Sequence, residues 1–143
     1  MGKPPKQPKK TKKRFYRYQY AVKFICTANA PGTSQTDDRF PPGSYQTLVN
    51  IHNPWEKDVG LRKKLATAGV ISEFLKTKLK YDEVEIVTCK DIAKFEIVTV
   101  HGFEGFLVIE STRRLDVSAV YTAAGKDGFV VSIDVENVKG RKI

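Results

Sequence analysis

Apolar side chains at every second position open the body of the chain: Tyr18, Tyr20, Val22, Phe24 and Cys26 alternate with residues that include Gln19 and Lys23. That period is the mark of a β-strand with one face on a core. The clearest hairpin lies near the C-terminus. Leu115, Val117, Ala119, Tyr121 and Ala123 share one face, the turn AAGKDG follows, and Phe129, Val131, Ile133 and Val135 alternate with Ser132, Asp134 and Glu136. Gly125 and Gly128 supply positive-φ positions for the reversal. The pattern predicts that both apolar sets face the same core.

Between these ends, residues 44–52, 58–68, 83–89 and 104–111 are short, rich in Val, Ile and Thr, and bounded by Gly, Pro, Asn or Asp. They read as further strands. Two stretches depart from the pattern. In 70–80, Val70, Ile71, Phe74, Leu75 and Leu79 have helical spacing, leaving a short helix and an extended edge segment as alternatives, and KDIAKF near residue 92 suits one helical turn. Asn29 to Gly43 is a long polar loop rich in Pro and Gly, of the kind that is usually functional or mobile. The expected fold is all-β, a single antiparallel β-sandwich of about seven or eight strands.

Charge divides the chain differently. Of 25 Lys/Arg and 16 Asp/Glu, seven basic residues and no acid fall in the first fourteen positions, which also hold three prolines. The remainder is nearly balanced. Repelling lysines, prolines that block backbone pairing and a lack of apolar surface keep such a segment from collapsing on itself. Residues 1–14 are therefore expected to form a flexible basic arm and residues 15–143 the sandwich domain. The chain offers no apolar run near the roughly 20 residues of a membrane helix. No apolar stretch follows the basic start as a signal peptide requires, so a cytoplasmic location is expected, with surface assembly after non-classical release as an alternative. Cys26 and Cys89 each sit in an apolar alternating segment and are expected to be buried thiols rather than a disulfide.

Candidate chemistry is sparse. His52, Asn53 and Trp55 cluster in VNIHNPW. A His52 pair with Asp37 or Asp38 is conceivable, but no nucleophile elbow accompanies it. The simpler reading is a strand end punctuated by Asn-Pro, with Trp55 as a lid. Asp37 and Asp38 read as solvated loop residues, short of the oxygens that calcium takes. Paired Arg113 and Arg114 have the chemistry to grip phosphate or carboxylate, yet also suit a charged turn. No metal-ligand spacing and no phosphate-loop glycine pattern is present, so neither a cofactor nor a metal is expected.

PPGSYQTLVNIHNP (41–54), GFLVIESTRRLDVSAVYTAAGKDG (105–128) and SIDVENVKGRKI at the C-terminus resemble a group of small uncharacterised bacterial β-sandwich proteins. These share PG-x-Y-x-T-x-V-N-I-H-N-P and LDV-x-AVYTA patterns. A weaker similarity is to the β-sandwich transducers of sensory rhodopsins, which are soluble oligomers. Neither resemblance implies an activity, and neither includes the arm.

The sequence therefore suggests a non-enzymatic structural or assembly module that associates with itself into a homo-oligomer or polymer. The partner-binding residues are expected at the arm and its junction: Lys9, Lys10, Lys12, Lys13, Arg14, Phe15, Tyr16 and Arg17. The alternative from another class is a polyanion-binding module, with the same arm neutralising nucleic-acid phosphates or an anionic surface while Phe15, Tyr16, Tyr18 and Tyr20 stack on bases.

Overall fold

The computed structural model describes residues 2–5 and 14–143. It is almost entirely antiparallel β, with β1 (Tyr18–Asn29), β2 (Gly43–His52), β3 (Val59–Thr67), β4 (Val70–Ile71), β5 (Leu75–Leu79), β6 (Val84–Thr88), a 3₁₀ helix (Cys89–Phe95), β7 (Gly102–Ser111), β8 (Asp116–Ala124), β9 (Val130–Val138) and β10 (Arg141–Lys142). The alternating segments of the sequence are strands. The ambiguous stretch 70–80 is extended, because β4 and β5 both pair with β3. KDIAKF lies in the 3₁₀ helix, which a capping box between Thr88 and Asp91 begins.

The sheet runs β4-β3-β7-β1-β2-β8-β9, with β5, β6 and β10 attached to β3, β2 and β1. One strand makes it a sandwich. β1 pairs with β7 from Tyr18 to Thr27, but on its other edge it meets β10 only at Tyr18–Gln19 and β2 only at Thr27–Asn29. The middle of that edge is where the two layers part. Side chains from the other layer serve its backbone: Ile25 N donates to Thr47 Oγ1, Thr47 Oγ1 donates to Ile25 O, and Tyr121 OH donates to Lys23 O. Burial of Tyr121 pushes its hydroxyl pKa up to about 12.

The core lies between the layers. Tyr20, Val22 and Phe24 of β1, Leu61 and Leu65 of β3 and Phe103, Leu107 and Ile109 of β7 meet Val49 and Ile51 of β2, Val87 of β6, and Val117 and Ala119 of β8. Three polar links cross it. Tyr20 OH accepts from Leu115 N and donates to Leu115 O, the Lys63 ammonium lies 2.8 Å from the Glu85 carboxylate, and Cys26 is bonded to Cys89 with their Cα atoms 5.6 Å apart. The disulfide corrects the expectation of two free thiols. Sixty-three residues separate the cysteines. Only the layered fold brings the end of β1 against the first residue of the 3₁₀ helix.

A second correction concerns the C-terminal hairpin. β8 and β9 pair as expected, but Val117 lies opposite Val138, Ala119 opposite Glu136 and Tyr121 opposite Asp134. Odd positions of β8 thus share a face with even positions of β9. Since a one-residue change of register turns every side chain over, Ile133 and Val135 lie on the face away from the core, beside Thr122 and Val120. The pairing irregularity at Ala123/Ala124 accompanies this register.

Candidate assembly surface

The outer faces of the two layers differ in kind. On the β3-β7-β1 layer the outward residues form a charged ladder. Glu110 accepts from Gln19 and from both Nε and Nη2 of Arg62, Lys23 pairs with Glu104, and Arg141 donates to Gln19. This face is occupied by its own side chains.

On the outer face of the β6-β2-β8-β9 layer, among the described residues, charged side chains pair only at one end, where His52 meets Asp116 and Asp82. The register of this layer sets Thr88, Leu48, Val120 and Val135 in one row across the face; the next row on one side sets Ile86 beside Asn50, Ser118 and Asn137, the row beyond it sets Val84 beside His52 and Asp116, and the row on the other side sets Ile133 beside Thr122 and Gln46. Val84 and Ile86 are about half exposed, and Ile133 and Val135 are 66% and 62% exposed. Among the described residues β9 also ends the sheet, pairing with β8 alone. Among the described residues, a nine-residue strand thus combines one free edge, a face on which Ile133 and Val135 are exposed and a second face that carries Asp134 and Glu136. Phe129, just before the strand, and Val131, at its second position, are 75% and 71% exposed. Soluble proteins generally cover, shorten or charge such edges. The opposite layer does so, with a short β5 that carries exposed Lys76 and Lys78.

Neither a protein-family model nor a curated protein matches the chain. A solved structure does: the chain is similar to the crystal structure of Thermotoga maritima 1070, with a TM-score of 0.56 and 9% identity over 87% of this chain and 93% of that one. At that identity the likeness concerns the fold alone.

Of the partner-binding residues expected from the sequence, Lys9, Lys10, Lys12 and Lys13 lie outside the described residues. Arg14 and Phe15 are exposed. Tyr16 is half-buried, packs edge-on against Phe15 and lies beneath the Arg62 guanidinium, 4.4 Å from ring centre to Cζ. The backbone of Arg17 is already paired, donating to Ser111 O and accepting from Ile143 N. Tyr16 and Arg17 are thus seated on the rest of the chain. The surface made by β9 and the outer face was missed because the sequence reading assigned its apolar residues to the core.

The other candidates also move. Asp37 is buried rather than solvated: its carboxylate accepts from Arg39 and from Thr27 Oγ1, and these bonds, Arg39 first, hold it well below the usual carboxylate range. It is nowhere paired with His52. His52 bridges two other carboxylates, with Nδ1 2.8 Å from Asp116 and Nε2 2.6 Å from Asp82. Asn53, wholly buried, donates to the carbonyls of Lys57, Leu79 and Lys80 and accepts from Trp55 N. Asn53 therefore closes the strand end as expected, while His52 ties β2 to the β5–β6 turn and to β8. Among the described residues no group of His, Cys, Asp and Glu is arranged to hold a metal, and no helix is long and apolar enough to cross a membrane.

The His52 bridge has a pH signature. Hydrogen bonds to Asp116 and then Asp82 raise its pKa above the ordinary value. A raised folded pKa contributes stability that is complete below the unfolded pKa and is lost as pH rises through the folded one. His52→Gln is therefore expected to lower the melting temperature at about pH 6 and to change it little at about pH 9. An equal deficit at both pH values would show that the charged bridge contributes nothing.

Proposed function

We propose that this protein is a non-enzymatic assembly module whose sandwich associates with further copies of itself. The observation that carries the reading is β9, an edge strand that among the described residues is paired on one side only and whose Ile133 and Val135 are mostly exposed. Strand addition at such an edge supplies backbone hydrogen bonds, and burying the neighbouring apolar face adds the hydrophobic contribution. The two faces of β9 set the register: one demands apolar contacts, and Asp134 and Glu136 on the other favour a basic partner strand. Two β9 strands paired antiparallel about Val135 would set Asp134 opposite Glu136, which is unfavourable. The lysine-rich arm of a neighbouring subunit has the complementary charge.

Sedimentation of the full-length protein tests the reading. The wild type is expected to form oligomers, Ile133→Lys with Val135→Lys to give a folded monomer, and deletion of residues 1–14 to weaken association. A monomeric wild type at every concentration, or unchanged association in the double variant, overturns it. The disulfide suits an oxidising compartment and therefore favours action outside the reducing cytosol.

A polyanion-binding reading has its own support in an arginine cluster beside the arm.

A further inference from the structure

The turn that joins β7 to β8 carries Arg113 and Arg114 into a cleft of about 220 Å³ shared with Arg17, Tyr18, Trp55 and Thr112. The turn backbone is held on both sides. Ser111 Oγ donates to Arg113 O at 2.6 Å, Trp55 Nε1 donates to Arg114 O at 2.6 Å, and Leu115 N donates to Tyr20 OH at 2.7 Å. Each guanidinium lies over an aromatic ring, Arg113 over Trp55 at 5.3 Å and Arg114 over Tyr18 at 4.8 Å. Stacking orients a planar guanidinium without consuming its N–H groups.

Other arginines in the protein are used differently. Arg39 and Arg62 direct their N–H groups to carboxylates, and Arg141 to the Gln19 amide oxygen. Among the described residues, Arg17, Arg113 and Arg114 have no carboxylate within 4 Å, and their side chains donate no hydrogen bond. Asp116, the nearest acid in sequence, is engaged by His52. Three cations with open donors, two of them stacked in place, make a site for an anion with several acceptor oxygens.

We propose that this cleft binds a phosphate group, whether free or within a phosphodiester strand. Paired guanidinium groups match phosphate oxygens by bidentate charge-assisted bonds. Arg17 lines the cleft with Arg113 and Arg114, so a phosphodiester strand seated there would meet three guanidinium groups from two segments of the chain. This inference is independent of self-association, since a monomer that binds phosphate would overturn the assembly reading and leave this one standing.

Trp55 is the sole tryptophan, and its emission reports the cleft directly. The full-length protein is titrated with sodium phosphate and with a single-stranded oligothymidylate of about 20 nucleotides at low salt. A saturable change in Trp55 emission is expected, together with a loss of affinity of about tenfold or more in Arg113→Gln/Arg114→Gln. A response to both probes assigns the site to phosphate as such, and a response to the oligonucleotide alone assigns it to a phosphodiester strand. Changing Lys9, Lys10, Lys12 and Lys13 to Gln should weaken the oligonucleotide but preserve the Trp55 response. Arg114→Gln alone, at an exposed position, guards against misfolding of the double variant and should also weaken binding. No change in emission with either probe overturns the proposal. So does a response that the folded arginine variants retain in full, because binding would then belong to the arm alone.

Discussion

Val117→Asp is expected to leave no folded protein, whereas Ser118→Asp, one residue on, should fold. Val117 is buried between the layers, paired with Ile51 on one side and Val138 on the other. No basic side chain is paired with it in the core, so the introduced carboxylate must be desolvated without compensation, at several kcal/mol, or take up a proton and remain a poorly satisfied polar group. The valine's own packing, about 1.5–3 kcal/mol, is lost as well. Together these approach the roughly 5–15 kcal/mol by which a domain of this kind is stable. Ser118 points from the opposite face, and a carboxylate there stays in water. Circular dichroism and soluble yield distinguish the two variants; equal tolerance would mean that the inward face of β8 is wrongly assigned.

Loss of the Cys26–Cys89 bond should be the next largest effect. It closes a loop of 63 residues that contains the β2–β6 segment, and in the chain-entropy account a loop of that size is worth about 4 kcal/mol through restriction of the unfolded chain. Reduction, or replacement of both cysteines by serine, is expected to lower stability by about 2–4 kcal/mol while the fold persists. Urea unfolding with and without reductant measures it. Coincident transitions would show that the bond is absent or that the unfolded chain is already restricted.

The strands of this protein were legible because alternation is a local property. Tyr20, Val22 and Phe24, or Val117 and Ala119, announce a buried face within a few residues, and no distant partner is needed to read it. The same locality misled at β9. Val131, Ile133 and Val135 alternate as well as any core strand, but alternation states only that one face is apolar, not which face the hairpin register turns inward. That choice depends on the pairing of Val117 with Val138 and on the irregularity at Ala123/Ala124.

Asn53 closes its strand end partly as its neighbours in sequence suggested, through local bonds to Lys57 O and Trp55 N, and partly through Leu79 O and Lys80 O, 26 and 27 residues away. The His52 ring is held by distant residues alone. Its partners Asp82 and Asp116 lie 30 and 64 residues away, and the nearer-looking Asp37 was already taken by Arg39 and Thr27. Arg113 and Arg114 were visible as a pair, but their stacking on Trp55 and Tyr18 and their lack of carboxylate partners among the described residues follow from the meeting of two loops. The amino-acid sequence by itself determined the all-β character, most strand positions and the inward residues of β1 and β8, because backbone propensity and period-two patterning act over short distances. The tertiary structure alone decided the disulfide, the carboxylate bridge at His52, the arginine cleft and the exposure of β9, because each depends on groups far apart in sequence or on a one-residue register that only packing can select.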